Sequence, residues 1–263
     1  VDLGLRGKVA LVAGSSKGLG RAIAEEFAAE GCDLVLCARR ADAIQSAGEA
    51  LARAHGVRVH AVAATLGVPG EAERVTAEGI DALGRIDILV TNAGGPPAGP
   101  FERIAREEWQ ATFRTLLESA IDLARAVLPG MKERRWGRVL NVTSITVKQP
   151  VENLVLSNSI RAAVTGFART LANEVGPFGI TVNNLLPGYT RTERLDELAA
   201  AGGRLRGTEP QALFAEWERQ IPLGRLGDPR EFAALAAFLA SERASYITGT
   251  SIPVDGGWIK SLY

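Results

Sequence analysis

The sequence predicts an α/β protein built on a parallel, doubly wound sheet with helices on both faces. Apolar runs of strand length recur at Val9–Ala13, Leu34–Ala38, Val57–Ala63, Ile86–Thr91, Arg138–Val142 and Thr181–Leu186, each separated by enough chain for a helix. That is the rhythm of βαβ units. The runs are nearly continuous in apolar residues rather than alternating, as expected of strands buried on both faces. The segments between them carry helical apolar spacing. With 263 residues, 46% of them hydrophobic, the chain can enclose a substantial core, so one domain spanning 1–263 is expected.

The first strand runs into Gly14-Ser15-Ser16-Lys17-Gly18-Leu19-Gly20 and then an amphipathic helix with Ile23, Phe27 and Ala28 on its inner face. A glycine-rich turn in this strand–helix context predicts a Rossmann-type dinucleotide site. Gly14 permits the tight turn, Gly18 lets the backbone approach a pyrophosphate, and Gly20 allows close packing of helix on strand. The helix start offers free N–H groups to the anion. Cys32 and Cys37 fall in the second predicted strand, five residues apart, so they should face opposite sides of the sheet as reduced core residues. That strand ends Ala38-Arg39-Arg40 rather than on an acidic residue, and Lys17 adds a further cation. Basic groups here suit a ribose 2′-phosphate, so NADP(H) is favoured over NAD(H).

His55 and His60 flank the third strand as ordinary surface or sheet-end residues. After the fourth strand, Phe113, Leu116, Leu117, Ala120, Leu123, Ala124 and Val127 form a core-facing helical stripe. From about 190 to 228 the pattern loosens into short helical pieces broken at Gly202, Gly203, Gly207, Pro210 and Pro222. This segment is expected either to be a substrate lid or to be a plain surface excursion. Thirty basic residues against thirty acidic ones give zero net charge, which argues against a nucleic-acid or anionic-membrane partner. No apolar run approaches spanning length and no signal-peptide layout is seen, so a cytoplasmic protein with a small-molecule substrate is expected.

The motifs resemble the short-chain dehydrogenase/reductase family over essentially the whole chain. They are Gly14-x-x-x-Gly18-x-Gly20, Thr91-Asn92-Ala93-Gly94, Asn141-Val142-Thr143-Ser144, Pro187-Gly188-Tyr189-Thr190-Arg191-Thr192 and Val254-Asp255-Gly256-Gly257. The resemblance implies that Asn92, Ala93 and Gly94 line the cofactor and that Pro187, Gly188, Thr190 and Thr192 contact its nicotinamide half. In overall character the chain is similar to β-ketoacyl carrier-protein reductase-like members, which implies NADPH dependence and a homotetramer or homodimer. The helix from about Asn153 to Val175, with Ile160, Val164, Phe167 and Leu171 at helical spacing, would carry part of that interface or of the core. The third strand departs from the family, ending Ala64-Thr65-Leu66 where an aspartate usually meets the adenine.

The catalytic signature departs further. Family enzymes pair a serine with a tyrosine about thirteen residues on and a lysine four beyond that, often with an asparagine from the preceding long helix. Ser144 keeps the serine, but Ser157 stands at the tyrosine position, Arg161 at the lysine and Leu116 at the asparagine. A serine hydroxyl lacks the phenol's accessible pKa, and a guanidinium does not give up its proton at neutral pH. Lys148, on the loop four residues beyond Ser144, is a candidate replacement, and Tyr189 lies near the same region. Two functions follow. One is an NADP(H)-dependent oxidoreductase of a carbonyl or enoyl compound with altered proton delivery, in which an enolate oxygen is held by Ser144 and Arg161 and protonated by water. The alternative is a catalytically silent cofactor-binding regulator or scaffold; non-redox elimination on the same frame ranks last.

Overall fold

The computed structural model describes residues 2–262. The strands are β1 (Val9–Ala13), β2 (Asp33–Ala38), β3 (Val59–Ala63), β4 (Ile88–Thr91), β5 (Gly137–Val142), β6 (Ile180–Pro187) and β7 (Ser251–Val254). Between them lie α1 (Gly18–Ala29), α2 (Ala41–His55), α3 (Glu71–Leu83), α4 (Arg106–Phe113), α5 (Ser119–Arg134), α6 (Val155–Val175), α7 (Glu193–Arg206), α8 (Pro210–Gln220) and α9 (Pro229–Ala240). All seven strands join one sheet in the order β3-β2-β1-β4-β5-β6-β7, and every pairing is parallel. The order reverses between β1 and β4. Such a switch point is where an open α/β sheet leaves a crevice at the carboxyl ends of its strands.

Apolar clusters cover both faces. Ala10, Val12, Leu34 and Leu36 pack with Ile23, Phe27, Ile44 and Phe232 on one side. Val9, Leu11, Ala13 and Val35 pack with Val75, Leu123, Val127 and Leu171 on the other. Successive residues of β1 thus serve alternate cores, which is why the strand is apolar throughout. Cys32 joins the first cluster and Cys37 the second, both as free thiols. Cys32 lies just before β2 rather than in it. Burial pushes both thiols up to about 12, which leaves them unreactive.

Several boundaries differ from the sequence expectation. β3 begins at Val59 because Gly56 ends α2 in the left-handed conformation, and His60 lies within the strand instead of flanking it. β4 begins at Ile88 because Asp87 is a buried anchor. Its carboxylate accepts the Val9 N–H at 3.0 Å and Arg85 Nε at 2.9 Å, with Arg134 Nε at 3.5 Å. Asp87→Ala strands two cations beside the amino ends of β1 and β4; a loss of about 3 kcal/mol is expected in urea unfolding. Arg138, a buried residue of β5, packs on Trp136.

Phe113 is exposed, contrary to its expected place in the core stripe. A π-helical turn, Arg114–Glu118, joins α4 to α5. Its wider winding shifts the helix phase, so Thr112 turns inward in place of Phe113, while Leu116, Ala120, Leu123, Ala124 and Val127 remain buried. On α6, Val164 and Leu171 are buried, whereas Ile160 and Phe167 are only partly covered.

The excursion after β6 forms two helices. Gly202 and Gly203 do not break α7. Gly203 is required inside it, because a Cβ there would stand 2.6 Å from the Thr208 carbonyl oxygen; the break falls at Gly207, a left-handed cap. The base of the excursion is closed by Gly227 N–H to Tyr189 O and Arg191 N–H to Gly227 O, each 2.9 Å.

Candidate active site

The turn between β1 and α1 has the form of a phosphate cradle. Gly14 and Gly18 hold φ of +59° and +60°. A Cβ on Gly20 would lie 2.4 Å from the Gly14 oxygen and 2.7 Å from Asn92 Nδ2. Lys17 occupies the N-cap of α1 without a side-chain capping bond, and the first turn has no acidic residue. The helix therefore presents uncapped N–H groups and its positive end to the crevice. Ser16 sits in the turn and Leu19 in the first turn of α1 against the core, and the wholly buried Ser15 hydroxyl has no partner among the described residues. These features fit a dinucleotide pyrophosphate.

Asn92 fastens this turn to β4, donating from Nδ2 to the Ala13 and Gly14 oxygens at 3.2 and 3.3 Å. Ala93 and Gly94 continue along the crevice. A ladder of buried polar side chains crosses the sheet at the same level. Thr91 donates to Asn141 at 2.7 Å, Asn141 to Asn184 at 3.2 Å, and Asn184 to Ser251 at 3.1 Å. These residues are directly opposed in register, so the four neighbouring strands β4 to β7 are tied together. At the end of β6, Gly188 donates to Val254 O at 3.0 Å; a side chain there would meet the Asp255 Cα at 2.7 Å. Thr190 and Thr192 follow, bonded to the carbonyls two residues earlier.

Arg39 and Arg40 are both exposed beyond β2. Arg40 pairs with Asp42, and Arg39 has no ion-pair partner among the described residues. Thr65 is exposed beyond β3, where its N–H points to Glu71, while Leu66 packs into the core.

Ser144 follows β5 and begins a 3₁₀ turn, Ile145–Val147. Its Oγ accepts the Thr146 N–H at 3.2 Å, which leaves the hydroxyl proton available for a substrate oxygen. Ser157 and Arg161 are one turn apart on the inner face of α6, and each is 8% exposed. Arg161 donates from Nη1 to Val142 O at 2.9 Å. Burial, then the neighbouring Arg194, lowers its pKa to about 10, so it keeps its charge at neutral pH. Leu116, on the π turn, lines the same water-sized cavity of about 10 Å³ as Arg161. Lys148 ends the 3₁₀ turn that Ser144 begins.

Tyr189 belongs to an aromatic cluster instead. It stacks on Trp217 at 4.9 Å and meets Trp258 edge-on at 5.7 Å. Burial, with Glu216 nearby, pushes its phenol up to about 12, which makes it a poor base at neutral pH.

Residues 13–259 match the family described as Enoyl-(Acyl carrier protein) reductase. The 3-oxoacyl-[acyl-carrier-protein] reductase FabG of Vibrio cholerae is 37% identical over 255 residues, covering 97% of this chain and 98% of its own. Oxidoreductase UcpA of Salmonella typhimurium is 36% identical, covering 96% of this chain and 95% of its own. The L-sorbose reductase of Gluconobacter frateurii, solved with NADPH and L-sorbose, superposes with a TM-score of 0.94 at 36% identity over 100% of both chains. The chain belongs to the short-chain dehydrogenase/reductase family.

This short-chain dehydrogenase/reductase is an oxidoreductase by that membership. Helix α7 reaches the crevice through Glu193 and Arg194, which the sequence did not single out. Glu193 forms an ion pair with Lys17 of the phosphate turn. Arg194 donates to Pro96 O at 2.6 Å, lying so close over Gly95 that a Cβ there would be 2.5 Å from Arg194 Nε. Thr192 stands over Gly18. No local motif announces these contacts, since Arg194 and Pro96 are 98 residues apart.

Proposed function

We propose that the protein is an NADP(H)-dependent reductase of a small carbonyl-conjugated enoyl compound, in which the substrate oxygen is held as an enolate and the adjacent carbon is protonated by water. The observation that carries the reading is a buried Arg161 that stays charged at neutral pH and is held by the Val142 carbonyl, two residues before Ser144, whose hydroxyl proton is free to donate. When bound, the dinucleotide supplies the hydride. Ser144 donates its hydroxyl proton as a hydrogen bond to the oxygen, and Arg161 opposes the negative charge that develops there. Neither transfers the proton that completes the product. Lys148 is the chain's own group assigned to polarise the water that does so. Ser157 lines the pocket without supplying a phenol. The segment from Thr190 to Asp228 acts as the substrate lid.

The cofactor is NADP(H) rather than NAD(H). Gly14, Ser16, Lys17, Gly18, Leu19 and Gly20 hold its phosphates, Asn92, Ala93 and Gly94 its central part, and Pro187, Gly188, Thr190 and Thr192 its nicotinamide half. Thr65 and Leu66 border the adenine, and Arg39 and Arg40 take the 2′-phosphate. Arg39→Ala is expected to weaken NADPH binding about tenfold in calorimetry, the loss of one hydrogen bond to a charged group, while NADH binding stays within error. The reading places the enzyme in the cytoplasm as a homotetramer or homodimer, assembled through α6 and the segment around Trp258. Gel filtration at the monomer mass of 27.8 kDa would contradict the assembly.

The function itself is tested by steady-state NADPH oxidation across paired enones and saturated ketones. Turnover of enones well above ketones is expected. Binding without turnover of either class would favour the silent regulator.

A further inference from the structure

The start of α7 is tied to both walls of the cofactor crevice. One wall is the phosphate turn after β1 and the other is the Gly95-Pro96 stretch after β4, and between these two strands the sheet order reverses. On the first wall, Glu193 forms an ion pair with Lys17, and Thr192 Cγ2 stands over Gly18, 3.8 Å from where a Cβ would lie. On the second, Arg194 Nη2 donates to Pro96 O at 2.6 Å while its Nε lies over Gly95. Three consecutive residues thus bridge the two loops between which a dinucleotide at the switch point must pass.

The contact on Lys17 is one for which a cofactor competes. The Lys17 and Glu193 side chains are 61% and 67% exposed, so their pair favours the bridged arrangement by no more than about fivefold. A phosphate is the stronger partner for the same ammonium, offering more charge and more acceptor oxygens than a carboxylate. Once a phosphate holds Lys17, Glu193 faces an anion where it had faced a cation. The bridge is then weakened on that wall.

Resting on the reading of Lys17 as a phosphate ligand, we infer that Thr192, Glu193 and Arg194 form a strap that holds the empty crevice shut. NADP(H) enters by replacing Glu193 on Lys17 with its own phosphate. The strap slows association but does not retain the bound cofactor, because the ion pair with Lys17 exists only in the empty enzyme.

The two anchors carry opposite charges, so the strap is separable from simple electrostatic attraction. Stopped-flow binding of NADPH to the full-length enzyme, followed by nucleotide fluorescence, gives kon and koff. Glu193→Gln removes an anion from beside the crevice and Arg194→Gln a cation. Each should nevertheless raise kon about threefold, within the range of an exposed ion pair. In Glu193→Gln koff should stay within error, so Kd falls by the same factor. On a Lys17→Met background the gain from Glu193→Gln should vanish. Faster association in Glu193→Gln with slower association in Arg194→Gln would be charge steering alone and would overturn the inference. Unchanged rates in both variants, or a gain that survives Lys17→Met, would overturn it as well. Lys17→Met that associates as fast as Glu193→Gln and binds NADPH as tightly would uphold the strap while contradicting Lys17 as a phosphate ligand.

Discussion

Arg161→Met should give a protein that is more stable than the wild type and yet inactive. The variant removes a guanidinium held at 8% exposure without a carboxylate partner and replaces it with an apolar chain of similar reach. It forfeits one hydrogen bond to the Val142 carbonyl. That loss is worth about 1 kcal/mol, whereas relieving a buried unpaired charge returns more, for a net gain of about 2 kcal/mol at neutral pH. Turnover should fall by at least about a hundredfold, because the developing oxyanion loses its only buried cation. The gain should depend on pH with a definite sign. Burial depresses the folded-state pKa of Arg161 from its ordinary value to about 10. Above about pH 10 the unfolded wild-type chain therefore holds this proton when the folded one has begun to lose it, so wild-type stability rises with pH. The advantage of Arg161→Met should therefore be full below about pH 9 and shrink as pH climbs past about 10. Urea unfolding of both proteins at matched pH checks it; a destabilised variant would show that the charge is neutralised within the chain.

The second large effect concerns the phosphate turn. Gly20→Ala places a methyl 2.4 Å from the Gly14 oxygen and 2.7 Å from Asn92 Nδ2, both backed by the sheet. Neither can retreat without loosening the bonds from Asn92 to Ala13 and Gly14. A loss of about 3 kcal/mol in stability is expected from the overpacking. NADPH affinity should fall at least about a hundredfold, since the same shift turns the α1 N–H groups away from the phosphates. Gly18→Ala separates conformation from crowding. Its Cβ would meet nothing nearer than Thr192 at 3.8 Å, but its φ of +60° is unfavourable for alanine. A stability loss of about 1 kcal/mol is expected there. Thermal unfolding with and without NADPH distinguishes the two, and equal losses would refute the packing argument.

Much of this was legible in the sequence because it is local. The first six strands are marked by apolar runs, and the glycines that make the cradle are contiguous with β1 and α1. Ser157 and Arg161, four residues apart, fall on one helix face as their spacing requires. Features that depend on distant pairing were hidden. β7 has only four residues and includes Pro253, which an edge strand tolerates but which reads as a break. Phe113 turned outward because a π turn, invisible to a fixed helical period, intervenes before α5. The Thr91–Asn141–Asn184–Ser251 ladder exists only once four strands are in register. The contact of Lys17 with Glu193 spans 176 residues, which no local pattern could have indicated.

The central claim is that an intact dinucleotide frame drives reduction here without a tyrosine acid. Stopped-flow mixing of the NADPH-loaded enzyme with carbonyl-conjugated enones, followed by NADPH absorbance, tests it most directly. A single-turnover loss of absorbance with a carbonyl-conjugated enone is expected. Tight NADPH binding with no absorbance change for any enone or ketone would contradict it.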